Sequence, residues 1–131
     1  MEYNTQYLHP KFAGIYRNHI WAAVLEKAWA KLIGNYEAAK SLSAVNALRA
    51  LTGVPVLQYL TASNDAATIF SSVQTASQKH YVMTAKAVTG TPANGIVGDR
   101  VYSVLKAYLV ETTQLLLMRD PTGLNTYSGL W

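Results

Sequence analysis

Covalent hydrolysis needs a nucleophile, a base and a group that orients the base. The sequence supplies these poorly. It contains no cysteine, which removes the thiolate nucleophile, disulfides and zinc–thiolate sites together. Its three histidines are His9, His19 and His80. Nothing pairs any of them with a nucleophile, so each reads as a surface or locally hydrogen-bonded imidazole. Their scatter also gives no metal-ligand spacing. Ser41, Ser43 and Ser103 have no base and acid partners in a recognisable arrangement. Gly95 to Gly98 precedes a strand-like run instead of a helix, which does not suit a phosphate cradle.

Composition narrows the class further. The 131 residues are 50% hydrophobic and 14% charged, which predicts one folded domain with a real core. So little polar surface leaves room for an apolar face covered by another domain or subunit. The net charge is +4, but the Lys and Arg residues are spread along the chain. Nine tyrosines are likewise scattered and not interleaved with basic residues. Neither pattern is the footprint of a nucleic-acid binder, and no nucleic-acid partner is expected. The N-terminus lacks the pattern of a signal peptide, and no glycine follows Met1 for myristoylation. Apolar runs are broken by charge well short of a bilayer span. The expected setting is cytoplasmic.

The elements follow from periodicity. Residues 1–15 read as an extended lead-in. From Tyr16 to Ile33, Ile20, Trp21, Val24, Leu25, Ala28, Trp29 and Leu32 form one helical stripe, read as the face that packs on the sheet. Gly34 ends that helix, and Asn35 and Tyr36 lead out. Ser41 or Ser43 caps a shorter helix that stops at Gly53. Val54 to Leu60 reads as a strand or extended segment, and Pro55 keeps the helix from resuming. Ser63, Asn64 and Asp65 are N-cap candidates for a helix running to Gln78, with Ala67, Ile69, Phe70, Val73 and Ala76 inside. His80 to Val88 alternates like a strand. Val101 to Val110 is apolar on both alternating sets and predicts a strand covered on both faces. A turn at Glu111 to Thr113 returns the chain through Leu115 to Met118. Helices first and antiparallel strands after them make the fold class α+β.

Three segments together resemble the calpain family of cysteine proteases. Trp21-Ala22-Ala23-Val24-Leu25-Glu26-Lys27-Ala28-Trp29-Ala30-Lys31-Leu32, with Gly34 and Tyr36-Glu37-Ala38, is similar to the helix that opens the second half of the calpain core. Ala47 to Gly53 is similar to the Leu-Thr-Gly element that follows it. Gly95-Ile96-Val97-Gly98-Asp99-Arg100-Val101-Tyr102-Ser103-Val104 resembles the strand that carries the family's histidine. Leu117-Met118-Arg119-Asp120-Pro121-Thr122-Gly123, with Tyr127 to Trp131, resembles the asparagine-bearing segment. The resemblance implies a papain-like right-hand subdomain, an antiparallel sheet or partial barrel flanked by N-terminal helices. The family's cysteine lies on a separate, preceding subdomain.

At the matching positions the sequence departs from the family. The histidine position holds Arg100, whose guanidinium cannot serve as a base near neutral pH. The asparagine position holds Asp120, the covering tryptophan is Thr122, and the glycine before the histidine is Asp99. The resemblance thus implies no catalytic residue in this chain, and it leaves two readings open for Arg100 and Asp120: an ion pair where the catalytic hydrogen bond would be, or two independent exposed charges. The family also has calcium sites, but the loop from Thr89 to Asp99 carries only Asp99 as a carboxylate, so no calcium and no other cofactor is expected.

Three functions are then open. One is an inactive calpain-like module in a structural, regulatory or protein-interaction role, with a cytoskeletal or regulatory partner. Another is an excised half of a calpain-type endopeptidase, partnered by a cysteine-bearing subdomain. The last is a small domain that binds an extended peptide by edge-strand pairing.

Overall fold

The computed structural model describes residues 3–4, 9–10, 20–40, 42–90 and 95–123. The chain divides into two compact units, Met1–Gly53 and Val54–Trp131.

In the first unit, β1 (Tyr3–Asn4) pairs antiparallel with β2 (His9–Pro10). The rest of the expected lead-in lies outside the described residues. Helix α1 spans Trp21–Ile33, α2 Tyr36–Lys40 and α3 Ala44–Thr52. The expected start of α1 at Tyr16 lies outside the described residues. Ser43 caps α3 through a 3.4 Å hydrogen bond from the Asn46 N–H. Gly53, at φ 69°, closes it by donating its N–H to the Arg49 carbonyl at 2.9 Å. This is a left-handed stop that costs glycine nothing sterically. Helix α2 corrects the expectation that Asn35 and Tyr36 simply lead out. The Asn35 side chain accepts a 2.7 Å hydrogen bond from the Ala38 N–H, an N-cap that starts another turn.

The predicted stripe on α1 is a second correction. Trp21 is 70% exposed and Leu32 69% exposed, and Val24 and Leu25 also face outward. The buried residues of α1 are the small ones, Ala23 and Ala30. Periodicity identifies a common face on a helix, but not what covers it. Between α1 and α3 lies an open apolar depression of about 250 Å³ lined by Ala22, Leu25, Glu26, Trp29, Ala47 and Leu51.

The second unit is α4 (Ala66–Gln78) with an open sheet of three strands, β3 (Met83–Lys86), β4 (Val101–Val110) and β5 (Thr113–Arg119). Strand order is β3-β4-β5, antiparallel throughout. With the helices it makes the fold α+β, and among the described residues the sheet does not close into a barrel. Asp65 caps α4, its carboxylate accepting from the Thr68 N–H at 2.9 Å and the Thr68 hydroxyl at 2.6 Å. These bonds, the hydroxyl's first, hold its pKa below the ordinary carboxylate value despite an opposing desolvation effect.

Helix α4 ends in paired bonds, His80 N–H to Ser77 O at 3.2 Å and Tyr81 N–H to Ala76 O at 2.9 Å. That is a Schellman closure with His80 in the left-handed position, φ 56°. His80 therefore belongs to the helix stop. The strand expected from His80 to Val88 occupies only Met83–Lys86.

The core of this unit is Phe70 on α4 with Tyr102, Val104 and Ala107 on β4. Helix α4 contacts β4, and the Ser77 hydroxyl accepts the Ala107 N–H at 3.2 Å. A bulge between Val104 and Lys106 resets the alternation, so that Ala107 follows Val104 onto the buried face. Strand β4 was expected to be covered on both faces. Instead Ser103, Lys106, Tyr108 and Val110 are exposed, because the helical layer covers one side. Ala67, expected inside α4, is also exposed. Val54–Leu60 joins no strand, and only Val56 in it is partly buried. Pro55 brings no N–H to a ladder there. Among the described residues no helix is long and apolar enough to cross a membrane.

Candidate functional site

The ladder between β3 and β4 runs past the formal end of β3. The Ala87 N–H donates to the Arg100 carbonyl at 2.9 Å, and the Asp99 N–H to the Val88 carbonyl at 3.3 Å. Arg100 is thereby fixed at the mouth of β4. Asp99 sits at φ 57°, a left-handed conformation that glycine takes freely and aspartate tolerates better than most residues. Its carboxylate lies 2.8 Å from the Lys86 ammonium, with both side chains largely exposed. Gly98 lies so close to Gly90 that a Cβ on it would stand 2.7 Å from the Gly90 carbonyl oxygen. A side chain is therefore excluded at the base of this connection. The Tyr102 hydroxyl, on the buried side of β4, accepts a 2.8 Å hydrogen bond from the Val97 N–H and pins the loop that delivers Arg100.

Asp120 arrives from the other direction. Arg119 closes β5 opposite Ser103, and Asp120-Pro121-Thr122-Gly123 then turns back. The Gly123 N–H donates to the Asp120 carbonyl at 3.1 Å, with aspartate first and proline second, the order a type I turn prefers.

These elements bring Arg100 and Asp120 together. Arg100 Nη1 donates to Asp120 Oδ2 at 2.6 Å, with side chains only 26% and 12% exposed. The same Nη1 donates to the Thr122 hydroxyl at 3.2 Å. Asp120 Oδ1 accepts from the Thr122 N–H at 2.8 Å and the Thr122 hydroxyl at 2.7 Å. Desolvation is the largest single influence on the Asp120 carboxyl and raises its pKa. The two Thr122 hydrogen bonds and then Arg100 together outweigh it, so the pKa lies below the ordinary value of 3.8.

The chemistry open to this cluster is limited. A guanidinium donates hydrogen bonds and accepts none, and both Asp120 oxygens already accept bonds. The cluster ties the start of β4 to the turn after β5, and it contains no group poised to take a proton from a nucleophile.

Of the histidines, His80 closes α4 and is exposed, His9 lies in β2, and His19 is outside the described residues. Among the described residues no three histidine or acidic side chains gather as a metal site. Asp99 is engaged by Lys86, so the described part of the Thr89–Asp99 loop does not fit a calcium ion, which needs several oxygen ligands. Tyr127 to Trp131 lie outside the described residues. The Lys86–Asp99 and Tyr102–Val97 contacts were not foreseen, since pairing across a hairpin depends on a register that loop composition does not reveal.

The match to known proteins agrees with this topology. Residues 4–131 match the model of the calpain family of cysteine proteases, and the chain belongs to that family. It is 27% identical over 130 residues to Calpain-A of Drosophila melanogaster, covering 88% of this chain and 16% of that protein. It is 32% identical over 123 residues to human Calpain-12, covering 88% and 17% respectively. With the calpain-type cysteine protease DEK1 of Zea mays it shares 31% identity over 129 residues, 88% of this chain and 6% of that protein. The chain thus spans about one sixth or less of the length of these relatives.

Proposed function

We propose that this chain is a catalytically inactive calpain-type module with a structural, regulatory or protein-interaction role in the cytoplasm, the cytoskeleton being one setting for it. One observation carries the reading. In a chain without cysteine, the position that resembles the family histidine holds a guanidinium bonded to Asp120 at 2.6 Å. General-base catalysis needs a group that both releases and accepts a proton near the working pH. A guanidinium does not meet that requirement, whatever thiol is brought beside it.

A second reading is favoured by the small share of its relatives that the chain covers. It would be one half of a calpain-type endopeptidase whose cysteine lies elsewhere in a parent protein. The two readings separate in a peptidase assay on the complete parent protein, with and without a cysteine-directed inhibitor. Absence of hydrolysis supports the inactive module. Inhibitor-sensitive hydrolysis that survives Arg100→Ala would overturn it and require another imidazole to reach the thiol.

A further inference from the structure

The turn after β5 contains the chain's one Asp-Pro bond, Asp120–Pro121. In such a pair the aspartyl carboxyl can add to the carbonyl carbon of its own residue and close a cyclic anhydride. Proline favours the break, because its amide nitrogen carries no hydrogen and leaves as a secondary amine, a better proton acceptor than a primary one. The position that resembles the family asparagine is the one that holds Asp120, so this bond comes with a departure from the family. The folded turn supplies one further aid. The Gly123 N–H donates to the Asp120 carbonyl oxygen at 3.1 Å. Negative charge develops on that oxygen as its carbon is attacked, and a fixed donor there stabilises it. The nucleophile is in place but held. Oδ1 accepts from the Thr122 N–H at 2.8 Å and the Thr122 hydroxyl at 2.7 Å, and Oδ2 from Arg100 at 2.6 Å. A carboxylate oxygen must give up such bonds to add to carbon, and the Arg100 bond is short and charge-assisted.

We propose that Asp120–Pro121 is an intramolecular self-cleavage site, restrained by the Arg100 and Thr122 bonds to the Asp120 carboxylate. Once an oxygen is released, it adds to the Asp120 carbonyl carbon. The tetrahedral centre collapses, the C–N bond to Pro121 breaks, and the proline nitrogen leaves with a proton taken from solvent. Water then opens the anhydride and leaves Asp120 with its side-chain carboxyl and a new C-terminal one. The sum is one peptide bond and one water consumed, an aspartate C-terminus and a proline N-terminus formed. Arg100 and Thr122 act on this step only through Asp120, as positioning residues. The inference is independent of both readings of function above, since it uses neither a thiol nor an imidazole.

The test is incubation of the full chain in mildly acidic buffer in which circular dichroism shows it folded, with the products weighed by mass spectrometry. The parent should lose Pro121–Trp131 slowly. Arg100→Ala and Thr122→Val, each with the circular dichroism of the parent, should lose it on the order of tenfold faster, the effect of removing one strong hydrogen bond from the nucleophile. The bonds after Asp65 and Asp99 should stay intact in every variant, an outcome that general loosening of the fold would not give. Asp120→Ala should not be cut there. Scission in Asp120→Ala overturns the inference, and so does the absence of a cut after Asp120 in the folded variants. Folded variants that cut at the parent's rate overturn the restraint. If the variants do not fold, the parent decides, incubated with and without urea. Slower loss of Pro121–Trp131 from the folded chain supports the restraint, and equal or faster loss rejects it.

Discussion

Arg100, Asp120 and Thr122 form a closed polar set, and its behaviour with pH follows from the direction of the Asp120 shift. A carboxylate whose folded pKa lies below its unfolded value stabilises the fold while both states are ionised. That contribution is fully present above the ordinary value of 3.8 and is lost as pH falls through the lower, folded value. Asp120→Asn should therefore flatten the acid limb of the stability curve below about pH 4 and leave its slope near neutrality unchanged. Urea midpoints at a series of pH values check this, and parallel acid limbs in the two proteins would show that the carboxylate is not coupled to folding. Arg100→His should not confer peptidase activity on the chain, since no thiol accompanies the new imidazole. Hydrolysis of a fluorogenic peptide by that variant, purified and with chelator present, would contradict the argument. The nearness of Arg100 and Asp120 was legible because two aligned motifs placed them across neighbouring strands, while their pairing was one of two open readings that the 2.6 Å contact decides. The role of Thr122 was not, because its bonds to both partners arise from a turn that only the three-dimensional path defines.

At the level of the elements, the caps were the most readable feature. Ser43, Gly53 and Asp65 all act where their chemistry predicts, because a cap satisfies local backbone groups and needs no tertiary partner. The burial of helix and strand faces was less readable. Trp21, Val24 and Leu32 lie on the predicted α1 stripe but face outward, and Lys106 on β4 is turned out by a bulge. Both outcomes depend on which neighbours exist, which hydrophobic period alone does not encode. Two local conformations give sharp tests. Replacing His80 by glycine removes a left-handed β-carbon from the α4 stop and should stabilise the second unit by about 1 kcal/mol. An unchanged or lowered urea midpoint would contradict the steric account. Gly98→Ala drives a methyl group into the Gly90 backbone and should destabilise the fold by about 1–3 kcal/mol. A variant as stable as the parent would show that the connection between β3 and β4 relaxes freely.

At the scale of the whole molecule, the α+β class could be read from the order of elements, and the kinship from three short motifs. The division into units Met1–Gly53 and Val54–Trp131 could not, since it depends on how contacts are shared and the sequence carries no obvious linker composition there. The second unit begins with Val54–Leu60, which has no place in a ladder and little cover, Leu57 being 81% exposed. A protease needs to draw several consecutive residues into its cleft, and a run with neither helical nor sheet bonding yields them without global unfolding. Leu57, Tyr59 and Leu60 are also side chains that chymotrypsin selects. Brief digestion should first nick the chain there, leaving two large fragments visible by mass spectrometry, and first cuts inside α4 or β4 would count against this. A member of a protease family would then carry, at the start of its second unit, the stretch of backbone among the described residues most easily threaded into another protease's active site.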